Sequence, residues 1–454
     1  MAPSFALPVR RGTTALACAA LLGAAVAPAA RADESPAPQQ SGSAPAPAAG
    51  KRTGPYGAKD AKFDGVWRTS LAFLAQHAAG VTPAPEAIDW LAGQQCADGG
   101  FATYRADVKS PCDPEKGEFS DATGAAVQAL VTVGGRGPVV AKGLEWLTKH
   151  QNADGGWGMN PGSPTDPNST AVVIGAFTAA DKEPGEVRSK DGKNPYDALL
   201  RFQLTCDAKQ AERGAFGYQP DKAGKLAPNA LATADGALAA RGEGFLVEPV
   251  KAADNAAPKV LACGDGAKSA KDQQRGDDGP NEEPDGAAEA AAAYLATTLA
   301  AHGQHLTSAL PGAKPQPDFG STADAVIALA AGDHHAAATG ALRWLQGSGN
   351  GALAWAKDDP GALAKLVLAA HAAGADPRDF AGANLVDQLG ATGPTPSDVR
   401  ADTSAADDAK DKKDDKDEKD DDGGGMGVWW IVGVGLVAGV GIGFLLSGRK
   451  KQQL

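Results

Sequence analysis

The chain has 454 residues, 22% of them charged and 43% hydrophobic, with a formal net charge of −12 at pH 7. That length is enough for a large core in one domain or two. The acidic balance excludes nucleic acid as a partner, because that binding needs clustered Lys and Arg. Residues 1–32 carry Arg10-Arg11, an apolar run from Ala15 to Ala27, then Ala30-Arg31-Ala32, and read as a secretory signal peptide. Its removal takes Cys18 and three arginines, moving the formal charge to −15. Residues 33–60, rich in Pro, Ala, Ser and Gly, read as a disordered leader.

Two helix types then alternate along 61–390. One carries an aromatic anchor: Pro85–Gln95 (Trp90), Pro138–Gln151 (Trp146), Pro195–Leu204 (Phe202), Gly286–His302 (Tyr294), Ala336–Gln346 (Trp344) and Pro377–Leu389. The other is small and Ala-rich: Asp64–Ala79, Ser120–Val133, Asn168–Ala180, Asn229–Ala240, Ser321–Ala331 and Gly361–Ala373. Apolar positions in both recur at three and four residues, as packed helices require. Trp90, Trp146 and Phe202 stand 56 residues apart, and so do Asp98 and Asp154. A fixed period of this length marks a repeat architecture. The polar, Gly- and Asp-rich segment 248–285 lacks helical periodicity and reads as an insertion.

Six hairpins of this kind form either an open solenoid or a closed ring. Neither terminal hairpin has a polar capping face, and Ala/Gly-rich helices suit a crowded inner wall. The expected fold is therefore all-α, an α6/α6 toroid (a double ring of six helical hairpins), plus one C-terminal transmembrane helix. That last helix is read at 426–447, where no charge interrupts the run from Gly427 to Leu446. The charged segment 391–425 before it reads as a disordered stalk. Arg449-Lys450-Lys451 in the tail 448–454 place that tail in the cytoplasm and the toroid outside the cell. Gly435, Gly439 and Gly443 form a small-residue face suited to a membrane transporter partner, or are simply glycines of a membrane helix.

Cys96, Cys112, Cys206 and Cys263 are an even set in an exported chain, so disulfides are expected, with three pairings open. A Cys96–Cys112 bond would close one repeat loop, and Cys206–Cys263 would tie the insertion back. No Cys or His spacing fits a zinc site, so no metal is expected.

Gln151-x3-Gly155-x-Trp157 resembles the repeat signature of the prenyltransferase and squalene–hopene cyclase superfamily, and Gln95-x3-Gly99-x-Phe101 is similar, with Phe for Trp. The resemblance covers 61–390 as architecture and implies an α/α toroid. Trp90, Gln95, Gly99, Phe101, Trp146, Gln151, Gly155 and Trp157 are then structural: glycine ends a helix in a left-handed conformation, and the Gln amide bonds the backbone of the turn. The family's catalytic motifs do not carry over. No Asp-x-Asp-Asp acid occurs in 61–390, and Asn168-Ser169 stands at the corresponding helix start. The only Asp-Asp-x-x-Asp, from Asp407 to Asp411, lies in the charged segment. The chain is therefore expected to be a degenerate member lacking the cyclase acid motif, which argues against catalysis without deciding it, and no cofactor is expected.

What remains is the ring's cavity. Asp121, Thr123, Asn168, Thr170, Thr233, Asp235, Ser321 and Asp324 stand near the starts of Ala-rich helices. Singly they read as helix caps; as a set they form a rim for a polar ligand. The expected function is a membrane-anchored extracellular toroid that captures a small ligand for a transporter. The ring is also similar to the toroid of the animal cobalamin carriers, which points to a cobalamin-like ligand. The alternative is an enzyme of the terpene cyclase or prenyltransferase kind, or a glycan-cleaving toroid, using Asp121 with Asp235 or Asp324.

Overall fold

Alanine, valine and leucine at helical spacing, punctuated by proline at first turns and glycine at ends, dictate a chain of short buried helices. In the computed structural model residues 54–57, 62, 64–113, 117–263, 284–308 and 314–398 are described, all in one unit that begins at Lys51. The helices are α1 (Gly65–Ala78), α2 (Pro85–Gly93), α3 (Ser120–Val133), α4 (Gly137–Lys149), α5 (Pro167–Ala179), α6 (Pro195–Leu199) and α7 (Ala230–Ala240). They continue as α8 (Pro284–Ala301), α9 (Phe319–Ala331), α10 (His335–Leu345), α11 (Ala352–Ala356), α12 (Pro360–Ala372) and α13 (Leu385–Gly390).

The Ala-rich helices pack as a closed inner ring: α1 on α3, α3 on α5, α5 on α7, α7 on α9, α9 on α12, and α12 back on α1. Small side chains allow this close approach; a Cβ on Gly124 of α3 would lie 2.9 Å from Val172 of α5. Two-residue strands seal the ring, β1 (Val81–Thr82) pairing antiparallel with β4 (Ser397–Asp398). Arg378 Nη2 donates to the Ala79 carbonyl at 2.8 Å across the same seam. Tyr56, fully buried, donates its hydroxyl to Pro394 O at 3.1 Å and accepts from Gln76 Nε2 at 2.8 Å. A second hairpin, β2 (Thr307–Ser308) with β3 (Gln316–Pro317), leads into α9.

The repeat signature acts as a strut between hairpins. Gln95 Nε2 donates to Gly99 O at 3.0 Å and to Val139 O of α4 at 2.8 Å. Gln151 repeats the first bond with Gly155 O at 2.6 Å, and Gln203 joins Gly214 O to Ala287 O of α8 at 3.1 and 2.8 Å. A second set of struts uses threonine. Backbone N–H groups of Tyr56, Phe101, Trp157, Phe216 and Leu306 donate to Oγ1 of Thr69, Thr123, Thr170, Thr233 and Thr322, at 2.9 to 3.1 Å. Each ties the turn before an inner helix to that helix. Thr170→Val should strand the buried Trp157 N–H and cost about 1–3 kcal/mol. Urea denaturation measures this, with Thr170→Ser expected to keep most of the stability.

Both disulfides are defined, as Cys96–Cys112 and Cys206–Cys263. Several sequence expectations need correction. The fold class with a transmembrane helix does not stand: among the described residues no helix is long and apolar enough to cross a membrane. Residues 426–447, with Gly435, Gly439 and Gly443, lie outside the described residues, as do residues 1–32, expected to be a signal peptide, and residues 448–454, expected to be a tail. Pro377–Leu389 is helical only over Leu385–Gly390, because Phe380 and Ala383 pair as a bridge instead. Pro195–Leu204 is helical to Leu199 and continues as a 3-10 turn to Phe202. Residues 54–57 and 391–398, read as leader and stalk, are ordered because Tyr56 and Pro394 close the ring seam. A short helix, α11, was not anticipated.

Candidate functional site

Asp166, Asn229, Asp318 and Asp359 cap α5, α7, α9 and α12 through their own side chains. Polar residues further along these helices are thereby released from capping duty. The second residues of α3 and α5 are Asp121 and Asn168, and the sixth residues of α7, α9 and α12 are Asp235, Asp324 and Lys365. Carboxylates of helices that are not neighbours feel one another: Asp235 on α7 interacts with Asp121 on α3. Helices α3 and α7 are separated by α5, so both side chains face the hollow.

Burial and like charge dominate there. Desolvation, opposed by a hydrogen bond from the Ser169 side chain and joined by the charges of Asp166 and Asp64, pushes Asp121 up to about 7. Asp64, at the start of α1, rises to about 6 by burial, against the pull of Arg68. Burial also raises Asp166. Lys365 Nζ lies 2.5 Å from Asp324 Oδ2, their side chains 21% and 7% exposed. Burial pulls the Lys365 ammonium down, but Asp324 and Asp235 together hold it above its ordinary value. Burial and the Asp324 charge drive Asp235 well above the usual carboxylate range. One ammonium thus serves two carboxylates, and Asp235 resists ionisation.

Two acceptors are left over. Asp121 Oδ1 and Asn168 Oδ1 are buried without a hydrogen-bond partner, a costly condition unless something brings donors.

The opposite end of the hollow is closed. After α7 the chain crosses the C-terminal ends of the inner helices as a strap. Thr178 Oγ1 on α5 donates to Gly242 O at 2.6 Å, and Val250 N donates to Ala372 O of α12 at 2.8 Å. Gln128 of α3 accepts from Phe245 N at 3.0 Å and donates to Val172 O at 3.0 Å. The Phe245 ring meets Trp67 of α1 edge-on, centroids 5.5 Å apart. It also lines a pocket of about 10 Å³ with Asp235, Ala171 and Leu238, room for about one water. Residues of α1, α3, α5 and α7 can meet one side chain only at the ring's centre. The hollow is therefore a cup with an aromatic floor and an acidic wall.

The N-terminal face around the cup carries exposed apolar groups. Val108, Met159, Tyr218 and Trp355 are 47%, 50%, 45% and 37% exposed; the first three lie in connections leading into inner helices and Trp355 in the short helix α11 that precedes α12. The charges of Asp166 and Asp121 reach Tyr218, which places it at the cup's mouth.

The structure splits the expected rim. Asp121, Asn168, Asp235 and Asp324 belong to the hollow. Thr123, Thr170 and Thr233 are fully buried and bonded to backbone, so they are struts. Ser321 Oγ donates to Asp318 Oδ2 at 2.9 Å, within the helix cap. Trp146 and Trp157 are buried in a core with Val127, Leu147 and Phe177, and Trp90 stacks on Tyr104. Asp64, Trp67, Arg68, Asp166, Phe245 and Lys365 were missed. Aligning the inner helices by their sixth residue finds Lys365 beside Asp235 and Asp324.

The hollow's acids predict a pH dependence. Unfolded aspartate titrates near 3.8, whereas Asp121 does so at about 7. The folded chain holds protons that the unfolded chain has lost, so these groups make stability fall as pH rises from about 4 to 7. Asp121→Asn should flatten this slope, chiefly towards pH 7, in thermal midpoints taken across the interval. Equal slopes in the two proteins would count against the assignment.

No family model matches the chain, and no curated protein matches it. Among solved structures, a protein from Actinoplanes is similar to it at 17% identity, over 68% of this chain and 90% of that one, with a TM-score of 0.39. A likeness at that level carries no functional argument.

Proposed function

We propose that the chain is a small-molecule-binding ring of an exported protein, whose ligand enters the cup at the N-terminal ends of the inner helices. The observation that carries this reading is the pair of buried, unpartnered acceptors, Asp121 Oδ1 and Asn168 Oδ1, on adjacent helices facing the hollow. Unpartnered acceptors also occur on the structural Gln76 and Gln151; the pair at Asp121 and Asn168 differs in its place beside the hollow, where a ligand would supply the donors. Export is supported by the two disulfides, which persist in oxidising compartments. The narrow floor beside Asp235 favours a small ligand or headgroup over a bulky corrinoid.

The test is a thermal-stabilisation screen of the full chain against small metabolites. A ligand at a hundred times its Kd adds about 2.7 kcal/mol, and Asp121→Ala should remove most of that gain. A screen without any shift, or a shift that survives both Asp121→Ala and Asp235→Ala, would count against the reading.

One observation favours acid catalysis as a second reading. Burial and the Asp324 charge raise Asp235, while Asp324 itself is paired with Lys365, and carboxyl groups set apart by their surroundings are what general acids use. This reading requires that Asp235→Asn abolish turnover of any substrate found while leaving its binding intact.

A further inference from the structure

We propose that the Cys96–Cys112 disulfide is redox-active: a small thiol attacks it at Cys112, and Glu118 is the acid that protonates the departing Cys96. The site shares no residue with the cup, so it stands or falls apart from the binding reading above.

The two sulfurs occupy unlike places. Cys96 lies in the turn after α2, is 3% exposed, and donates its N–H to Gly100 O at 2.8 Å. Cys112 is half-buried and lines a pocket of about 490 Å³ with Tyr104, Arg105, Asp107, Ser110 and Gly117. A pocket of that size takes a small molecule. Arg105 fixes its wall. Nη1 donates to Gln95 O at 2.8 Å, and Nη2 donates to Val108 O at 2.6 Å and Ser110 O at 2.7 Å. An external thiolate therefore meets Cys112, and Cys96 is the sulfur that leaves.

A carboxyl group stands beside the buried sulfur. Glu118, two residues before α3, is 1% exposed, and one of its oxygens and the two sulfurs all lie within 4.8 Å of one another. A hydrogen bond or one bridging water covers such a span. Glu118 Oε2 is buried without a hydrogen-bond partner. Gly100 leaves room for it, since a Cβ there would lie 2.2 Å from Oε2. The groups that face Glu118 are Asp98, Arg105 and Trp146 of α4. Burial, with the charge and hydrogen bond of Asp98, raises Glu118 to about 7, against Trp146 and Arg105. Near neutral pH this group both gives and takes a proton. The second disulfide supplies a contrast. Cys206 and Cys263 are also half-buried, yet among the described residues no acidic or histidine side chain is placed against them in this way.

The exchange balances with a dithiol as reductant. Its thiolate bonds to Cys112 Sγ, the S–S bond breaks, and the electron pair leaves on Cys96 Sγ, which takes the Glu118 proton. The second thiolate of the dithiol then attacks the first, expels Cys112 as thiolate, and leaves as the oxidised disulfide. Cys112 and Glu118 regain protons from water. In the reverse direction Glu118 takes the proton from Cys96.

The test is reduction of the full chain by dithiothreitol between about pH 5.5 and 8.5, each disulfide being followed by alkylation and peptide mass spectrometry. The attacking thiolate increases about tenfold per pH unit in this range, so reduction of Cys206–Cys263 should climb throughout. Reduction of Cys96–Cys112 should climb only to about pH 7 and then level off, because Glu118 loses its proton there. Glu118→Gln should slow it by about a hundredfold at pH 6, by less at pH 8, and restore the full climb. With 2-mercaptoethanol, acid quenching should trap the mixed disulfide on Cys112. Parallel pH profiles for the two disulfides, a Glu118→Gln effect equal at every pH, or an adduct on Cys96 overturns the proposal. The wild-type profiles decide the matter even if Glu118→Gln does not fold.

Discussion

Lys365→Met should destabilise the ring by about 3–5 kcal/mol, the usual consequence of leaving a buried carboxylate without its cation. Lys365 is the sixth residue of α12, and its ammonium lies 2.5 Å from Asp324 on the neighbouring inner helix. Asp235, one helix further round, shares the same positive charge. Methionine matches the aliphatic length of lysine, so little packing is lost and the measurement isolates the charge. Chemical denaturation at pH 7.5 should show the full loss. At pH 5 the loss should shrink, because the abandoned carboxylates can take up protons. Adding Asp324→Asn to Lys365→Met should recover much of the stability, since the pair is then removed together. A single variant within about 1 kcal/mol of wild type would show that the ion pair does not hold the inner ring.

Gly155→Ala is expected to cost more than about 3 kcal/mol, as backbone strain and steric conflict combine. Gly155 has φ of +98°, and a Cβ there would lie 2.2 Å from the carbonyl oxygen of Asn194. The same relation recurs at Gly99 against Lys142 O at 2.3 Å and at Gly214 against Ala290 O at 2.4 Å. In each case the glycine of one hairpin presses on the outer helix of the next hairpin or its cap. Gly192 provides the control: its φ is +77°, with nothing within 4 Å of an added Cβ. Gly192→Ala should therefore cost only the strain of a left-handed alanine, about 1 kcal/mol. Equal effects at Gly155 and Gly192 in urea denaturation would mean that contact between hairpins contributes nothing.

These glycines explain which parts of the chain could be read directly. Gln95 with Gly99 and Gln151 with Gly155 are legible because the amide and the carbonyl it meets lie four residues apart. The third strut was not, since eleven residues separate Gln203 from Gly214 and the Cys206–Cys263 disulfide occupies the intervening loop. The Ala-rich inner helices were visible as helices, but their facing was not. Buried on nearly every side, they have weak amphipathic signal, so Thr123 and Asp121 looked equivalent although one is a strut and the other faces the hollow. Lys365 passed unnoticed as a lone charge in an apolar helix. Phe245 was hidden in a segment whose role depends on crossing the ring. The seam residues Tyr56 and Pro394 sit beside low-complexity stretches and gain their order only from each other.

The most direct measurement is a crystal structure of the full chain with a compound that stabilises it in the thermal screen. The account predicts that compound bounded by Asp121, Asn168 and Asp235, and lost in Asp121→Ala crystals. A peak in the outer groove between α8 and α10, or an empty cup at saturating concentration, would contradict it.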